Sequence, residues 1–324
     1  MKFRGLCAMT AERLFTTMFL LIALSIAVAS SVCSADEDST TSRRAVATVD
    51  GQQIPASEVD NEFRLAFDEA KIAEVDKPRL LRAALDQVID RRLVLAYLTK
   101  AGQAASKADV DLELAQFEKE LKAQNLTLAE HSKKVGLSPD DIRRALTWKL
   151  SWKRYCEKHL TPQNLEKYFE QHRHDFDGTQ LRIAQILFKL TANADETNAA
   201  AAIERAKKLR EEIAGDKDKF AGAARQQSDA PSRADGGDIG WIERHRPMPA
   251  EFSRIAFGLK PGEVSQPFVS PFGVHLITVL EEKPGTKTWK EVESELRPAV
   301  ITYLFRWIAD KERSVAKIEY VTTP

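Results

Sequence analysis

The chain has 324 residues, of which 43% are hydrophobic and 30% are charged, and 48 lysines and arginines balance 48 aspartates and glutamates. This length accommodates two domains with hydrophobic cores, and the composition is typical of a globular protein with helical surfaces. A formal net charge of zero argues against nucleic acid as a partner, because a nucleic-acid-binding surface needs an excess of basic residues.

The first 35 residues have the pattern of a secretory signal peptide. A basic start and an apolar run from Leu14 to Ala29 precede small residues, and cleavage patterns end at Ala29 and at Ala35. We therefore expect cleavage of residues 1–35, a disordered polar linker over 36–44, and a periplasmic or otherwise extracytoplasmic location. An uncleaved segment would instead hold the chain near a membrane, although the run is shorter than the about 20 apolar residues of a membrane span.

Two of the three cysteines lie in the predicted leader, so the exported chain would keep Cys156 alone and form no internal disulfide. Within the run WKLSWKRYC, Cys156 is expected to be a small buried hydrophobic residue. The aromatic residues of this run recur at near-helical spacing, which predicts core packing. If they prove exposed, the alternative is a client-binding surface. These aromatic residues are Trp148, Trp152 and Tyr155.

Residues 45–178 are predicted to form a mainly α-helical domain of roughly five helices with one stray strand. The strand is Ala45–Val49, which ends at the tight-turn pair Asp50-Gly51. Helices are expected where apolar residues recur at helical spacing. Their expected positions are after Ser57, from Pro78, from Asp109 to Gln124, from Leu128 to Val135, from Ser138 to His159, and from Pro162 through Phe169.

Residues 180–282 are predicted to form a compact α+β domain. The segment Leu181–Leu190 has apolar residues on both faces, as in a central strand. A helix follows from Ala194 to Gly215, with a cap at Asn193. The remaining expected elements are a helix near Lys219–Gln227, a strand at Ile239–Ile242, a short helix at Pro249–Phe257, and strands at Val264–Val269 and Val274–Glu281.

The last segment, residues 286–324, is predicted to contain a helix from Thr288, which Pro298 should bend or break, and a strand at Ala316–Val321. The final strand and the strand at Ala45–Val49 would each lack a neighbour within their own segments. We therefore hypothesise that they pair, which would bring the C-terminal segment onto the helical domain.

Residues 180–282 resemble a parvulin-type peptidyl-prolyl cis/trans isomerase domain. The motifs GGDIGW, M-P-x-x-F, A-F-G-L-K-P-G-E-V-S and F-G-V-H-L-I occur in the order and at the intervals of that family. The earlier segment AVATVDGQQIPASEVD and the single late helix resemble the exported foldases and chaperones of the SurA and PrsA kind. The resemblance implies an α+β fold class. A small antiparallel sheet with surrounding helices would accompany a mainly α-helical SurA-N-like chaperone domain, completed by the C-terminal helix.

The resemblance also implies isomerisation of X–Pro bonds in unfolded or proline-containing polypeptide clients, without a cofactor or a metal. The barrier of about 20 kcal/mol comes from amide resonance. A catalyst therefore has to hold the proline ring in an apolar slot, desolvate the amide and favour its twisted state. The residues implied for the slot are Met248, Phe252 and Ile239. Those implied for the polar catalytic network are His275, Gln185 and Ser270.

Two polar positions depart from the family's pattern. The family has a second histidine on the first strand where this chain has Gln185, and a cysteine or aspartate where this chain has Ala230. Glutamine donates and accepts hydrogen bonds but cannot replace an imidazole tautomer pair, and alanine does neither. The alternative function is therefore a parvulin-fold chaperone that binds clients with weak isomerase activity or none.

Several of these candidate site residues also have a purely structural interpretation. His275 could be a satisfied core histidine, and Met248 and Phe252, four residues apart on a short helix, could be ordinary core packing. The glycines of GGDIGW are interpreted as turn formers rather than a phosphate cradle, because no lysine or helix start follows them. Asp238 is expected to cap a turn rather than to act as a base.

Overall fold

The computed structural model describes residues 44–67, 72–135, 137–190, 196–213, 216–245, 247–270 and 272–321. The predicted leader, most of the predicted linker and the predicted helix cap at Asn193 lie outside these residues. Within them the chain divides into two compact units. The sheet unit contains residues 162–298, and the helical unit contains residues 44–161 and 299–321. None of the described helices combines the length and the apolar character needed to cross a bilayer.

The helices and strands follow most of the predicted order. In chain order they are β1 Ala45–Val49, β2 Gln52–Pro55, α1 Ala56–Ala66, α2 Lys77–Lys100, α3 Lys107–Ala123, α4 Leu128–Val135, α5 Pro139–His159, α6 Pro162–Gln171, α7 Arg173–Phe176, β3 Gln180–Lys189, α8 Glu196–Ile213, α9 Lys217–Gln227, β4 Asp238–Glu243, α10 Ala250–Ala256, β5 Phe268–Ser270, β6 Gly273–Lys283, α11 Glu293–Arg313 and β7 Ile318–Tyr320.

Side-chain caps fix where helices of the helical unit begin. Ser138 accepts from the backbone N–H of Asp141, whose carboxylate accepts from the backbone N–H of Ser138, and Pro139 occupies the first helical position. These contacts satisfy backbone donors that an uncapped first turn leaves unpaired. The start of α5 predicted at Ser138 is therefore confirmed. Ser106 and Asp109 form the same capping box at the start of α3.

The prediction of one stray strand is wrong, because β1 lies in the middle of a three-stranded sheet with the order β2-β1-β7. A turn at Asp50 and Gly51, both at positive φ, joins β1 to β2. On its other edge β1 pairs antiparallel with β7, with Val49 opposite Ile318. The hypothesis that the two ends of the chain pair is therefore confirmed. The sequence of β2, QQIP, has no recognisable strand pattern, because it is short, largely polar and ends in proline.

Aromatic rings from α5 and α11 form the core of the helical unit. Trp148 stacks on Trp152 with 5.6 Å between ring centroids. Phe305, which is 1% exposed, meets both indoles edge-on at 5.9 and 5.7 Å. The core interpretation of the aromatic run is thus confirmed. Cys156 packs in the same cluster, as expected of a small buried hydrophobic residue, and its burial raises the pKa of its thiol to about 12.

The sheet unit is built on an antiparallel sheet with the order β4-β3-β6-β5, so β3 is central as predicted. Alternate residues of β3 face opposite sides of the sheet. Ile186 and Phe188 pack with residues of α8 and α9 in one core cluster. Ile183 packs with Phe252 of α10 in a second cluster. Gln185 lies two residues after Ile183 on the strand, so its side chain is on the face of the sheet that packs against α10.

Two predicted elements are shorter than expected. Of the segment predicted as the strand Val264–Val269, only Phe268 and Val269 belong to β5, and Val264 forms an isolated bridge to Thr278. Pro267 has no N–H to continue a ladder between them. The helix predicted from Thr288 begins at Glu293 instead. The Thr288 N–H and hydroxyl both donate to the Glu291 carboxylate and close a separate turn first.

Candidate active site

The GGDIGW turn packs its backbone directly against the central strand. Gly237 has φ +88°, and a Cβ there would lie 2.4 Å from the carbonyl oxygen of Gln185. The Gln185 N–H donates to the Gly237 carbonyl at 2.8 Å. Gly236 ends the preceding 3-10 turn in a left-handed conformation. The interpretation of these glycines as turn formers is confirmed, and at Gly237 the close approach excludes any side chain.

The Ser228-Asp229 pair completes the hydrogen bonding of β3 beyond its pairing with β4. The Leu187 N–H donates to Ser228 Oγ at 3.1 Å, and the Asp229 N–H donates to the Leu187 carbonyl at 2.7 Å. Ser228 Oγ also accepts from the N–H of Ala230, a buried residue. Sequence reasoning missed this role. The available signal was a Ser-Asp pair directly after a helix, since both side chains favour hydrogen bonds to nearby backbone.

Asp238 holds the turn that leads into β4, as expected. Its Oδ1 accepts from the Gly240 N–H at 2.8 Å. Its Oδ2 accepts from the guanidinium of Arg182 on β3 at 2.7 and 3.0 Å. Both carboxylate oxygens are engaged in fixing the turn and the β3–β4 pair, so the predicted turn cap is confirmed.

The three side chains implied for the polar network lie in one hydrogen-bonded chain. His275 on β6 is central, with its Nδ1 3.3 Å from Gln185 Oε1 and its Nε2 2.6 Å from Ser270 Oγ. Ser270 Oγ also accepts from the Phe272 N–H at 2.9 Å. The sheet brings the three together because β6 lies between β3 and β5. His275 is directly opposite Leu187 and Phe268 in the two ladders.

One protonation state satisfies every member of this chain. With the Gln185 amide oxygen facing the ring, the proton sits on Nδ1 of His275 and is donated to Oε1. The Ser270 hydroxyl then donates to Nε2 while its oxygen accepts from the Phe272 N–H. Burial lowers the pKa of His275 from 6.5 to about 4, because a buried imidazolium loses its hydration. The network is therefore uncharged at neutral pH.

An apolar wall of aromatic rings stands beside this network. The Phe268 ring stacks on His275 at 5.2 Å, and buried Phe252 meets both rings edge-on at 5.9 and 6.0 Å. Met248 and Ile239 are half-buried and pack on the same cluster. Phe252 thus belongs to the core and also borders His275, whereas half-buried Met248 packs on the same cluster from a position before the start of α10. Sequence reasoning missed Phe268, which its spacing of two residues from Ser270 on β5 could have placed on the same face.

The network can orient hydrogen bonds but is poorly suited to nucleophilic catalysis. A serine hydroxyl on an imidazole nitrogen resembles the nucleophile–base pair of hydrolases. In those enzymes a carboxylate stabilises the imidazolium that forms, whereas here the second nitrogen of His275 faces the neutral amide of Gln185. An imidazole with a pKa of about 4 is also a weak base. The arrangement therefore favours chemistry that needs positioning and desolvation and no proton abstraction.

We expect His275 to remain neutral in a single tautomer from pH 8 down to pH 5.5, because its pKa in the folded protein is about 4. Long-range nitrogen–proton NMR spectra of the imidazole report both ring nitrogens directly. The unfolded chain binds more protons at this residue between pH 6.5 and 4, so its contribution to stability is complete above pH 6.5 and is lost as the pH falls towards 4.

Ser270→Ala is the informative variant for this prediction. It removes the hydroxyl donor to Nε2 and should mix the two tautomers at pH 7. An imidazolium signal from His275 in the wild type at pH 6 would contradict the assigned state.

Two family models match the chain. Residues 186–281 match a rotamase family described as a PPIC-type PPIase domain, and residues 8–150 match a SurA-like N-terminal domain. Together the two matches span most of the sequence, in the order that the motif resemblance implied.

The chain is also similar to curated proteins and to a solved structure. The chain is 28% identical over 253 residues to chaperone SurA of Alkalilimnicola ehrlichii, covering 74% of this chain and 57% of that protein. It is 34% identical over 254 residues to chaperone SurA of Saccharophagus degradans, covering 75% and 59%. The crystal structure of peptidylprolyl isomerase (PrsA) from Bacillus anthracis is 23% identical, with 70% and 94% covered and a TM-score of 0.35.

The chain spans less than two thirds of the length of these curated relatives. The order of its two matched domains is nevertheless clear, with the SurA-like domain first and the PPIC-type domain after it. The chain therefore combines a SurA-like N-terminal domain with a parvulin-like domain of the PPIC-type PPIase family.

Proposed function

We propose that the chain is an exported folding factor that isomerises X–Pro bonds in unfolded polypeptide clients. The observation that carries this proposal is the neutral Gln185–His275–Ser270 chain lying against the aromatic wall of Phe252 and Phe268, within a PPIC-type domain. A helical chaperone domain over residues 45–178, completed by residues 286–324, would hold clients while the domain at 180–282 engages their prolines. Export is supported by the leader pattern of residues 1–35.

In the proposed mechanism the proline ring packs against the apolar wall, with Met248 and Ile239 at its sides. Removing the amide from water disfavours the charge-separated planar form, so the barrier to rotation falls. The Gln185 side chain is held by its oxygen on His275 Nδ1, which leaves its NH2 group able to donate to a substrate carbonyl oxygen. Because His275 carries no charge, the polar wall stabilises the twisted amide through fixed dipoles.

A chaperone that binds clients without isomerising them is the second candidate. It is favoured by Ala230, a buried residue that offers no polar side chain where the family has cysteine or aspartate. The amide at Gln185 likewise replaces a second imidazole. Binding in the apolar slot would survive both changes, whereas stabilisation of the twisted amide would weaken.

We expect the full chain to accelerate cis/trans exchange in a capped proline tetrapeptide, measured by NMR exchange spectroscopy. Gln185→Leu should lower the catalysed rate by about tenfold, because it leaves the buried Nδ1–H without an acceptor. Gln180→Leu is the matched control, since Gln180 lies on the same strand and its side-chain NH2 donates to the exposed carboxylate of Glu243.

The two candidates give different outcomes with the wild type. An exchange rate at background, together with suppressed aggregation of a denatured client, would leave only the binding function. In that case Gln185→His combined with Ala230→Asp should raise turnover. A chain that neither accelerates exchange nor protects clients would contradict both candidates.

A further inference from the structure

We infer that a cavity in the helical unit is a subsite for an uncharged stretch of polypeptide with one leucine-sized side chain. The cavity has a volume of about 110 Å³ and lies between α1, α2 and α5. This inference deepens the proposed function, since it names the chemistry of the client segment that the helical domain would hold.

Three buried polar atoms of the residues around this cavity lack hydrogen-bond partners among the residues that the structure describes. They are the donors Asn61 Nδ2 and Arg91 Nε and the acceptor Glu62 Oε1. Leaving such atoms unpaired costs about 1–3 kcal/mol each. A peptide group bound beside these residues offers a carbonyl acceptor to the two donors and an N–H donor to Glu62.

The charges around the cavity cancel, which argues against a charged occupant. Each of its three carboxylates is paired with an arginine that also lines the cavity. The pairs are Glu62 with Arg91 at 2.7 Å, Glu58 with Arg92, and Asp141 with Arg144. A carboxylate ligand would approach the unpaired oxygen of Glu62, and a cation would approach the donor nitrogen of Arg91. A peptide amide fits both, because its carbonyl accepts and its N–H donates.

The remaining walls are apolar and suit one aliphatic side chain. They are contributed by Leu65, Leu95, Leu137, Ala145 and Trp148. A cavity of roughly 150 Å³ takes a benzene-sized group, so the volume here suits a branched aliphatic side chain. Leu65 is 54% exposed, so an occupant could bury it on binding.

The test uses the full chain with leucine methyl groups labelled for NMR and N-acetyl-leucine-methylamide as the probe. We expect the probe to shift the methyl signals of Leu65 and Leu95, and N-acetyl-leucine, which carries a carboxylate, to bind at least about tenfold more weakly. Leu65→Asp should weaken binding of the methylamide by about tenfold or more, and Asn61→Ala should weaken it as well. Leu112→Asp is the matched control, because Leu112 is 73% exposed on α3 and lies outside the cavity lining.

Equal binding to Leu65→Asp and wild type, equal binding of the two probes, or absence of binding to the wild type would overturn the subsite. So would a change of oligomeric state in Leu65→Asp on sedimentation, which would make a second copy of the chain the occupant. Proline exchange and client protection, measured on the same variants, separate this failure from failure of the proposed function. If the wild type and Leu65→Asp protect clients equally well, the subsite is contradicted and the proposed function is retained.

Discussion

Phe252→Ala is expected to lower the catalysed rate of proline exchange by at least about tenfold and the free energy of unfolding of the sheet unit by about 3–5 kcal/mol. Phe252 is buried on α10, and its ring meets both Phe268 and His275 edge-on. Removing it leaves a cavity in the core cluster and opens the wall against which the proline ring would pack. Stability and activity should therefore fall together.

The rate is measured by NMR exchange on a proline tetrapeptide, and stability by urea denaturation of the full chain. Phe272→Ala is the matched control, because Phe272 is an exposed aromatic residue of the β5–β6 hairpin. It should change the free energy of unfolding by less than about 0.5 kcal/mol. Phe252→Leu fills most of the volume, so it tests the rate in a protein that remains folded. Full activity in both Phe252 variants would contradict the role of this residue in the slot.

The elements that the sequence predicted well are those whose periodic pattern agrees with their burial. The segment Leu181–Leu190 has apolar residues on both faces because β3 is covered on both sides by core clusters. The helix α8 buries Ala206, Leu209 and Ile213, which recur at helical spacing. Caps such as Ser138 are local, so their sequence signal is complete within four residues.

The elements that the sequence did not predict depend on contacts made far along the chain. The strand β2 exists because β1 supplies its ladder, and its own residues carry no strand pattern. The Ser228-Asp229 pair forms hydrogen bonds with the backbone of Leu187, beyond the residues of β3 that pair with β4. Neither relation is encoded in the spacing of neighbouring residues, since each needs a partner that folding brings alongside.

The motif resemblance predicted which residues form the candidate site, whereas their charge state could be assigned only from the structure. The sequence offers Gln185, His275 and Ser270 at separations of 90 and 5 residues from the histidine, and the adjacent strands bring them within hydrogen-bonding distance. The low pKa of His275 arises from burial. The covering ring of Phe268 was not predicted. Burial depends on how the whole sheet packs, so no local pattern could have given the charge state.

Phe305→Ala is expected to lower the free energy of unfolding of the helical unit by about 3–5 kcal/mol, the largest effect that we expect from a residue of α11. The ring of Phe305 meets Trp148 and Trp152 edge-on in the core cluster. The same C-terminal segment supplies Arg313, which donates to Asp90 of α2, and β7, which pairs with β1. Loss of the Phe305 anchor should therefore loosen contacts at several places in the unit at once.

Tryptophan fluorescence during urea denaturation is a suitable measurement, because Trp148 and Trp152 report on the altered core directly. Trp307→Ala is the matched control on the same helix. Trp307 is 45% exposed, so its removal should cost less than about 1 kcal/mol even though the residue is larger. Similar shifts for the two variants would mean that α11 packs on the unit without an aromatic anchor. Residues 162–298, which form the sheet unit, separate Trp152 from Phe305 in the sequence. A large shift for Phe305→Ala alone would therefore show that residues far apart in the sequence form one cooperative core.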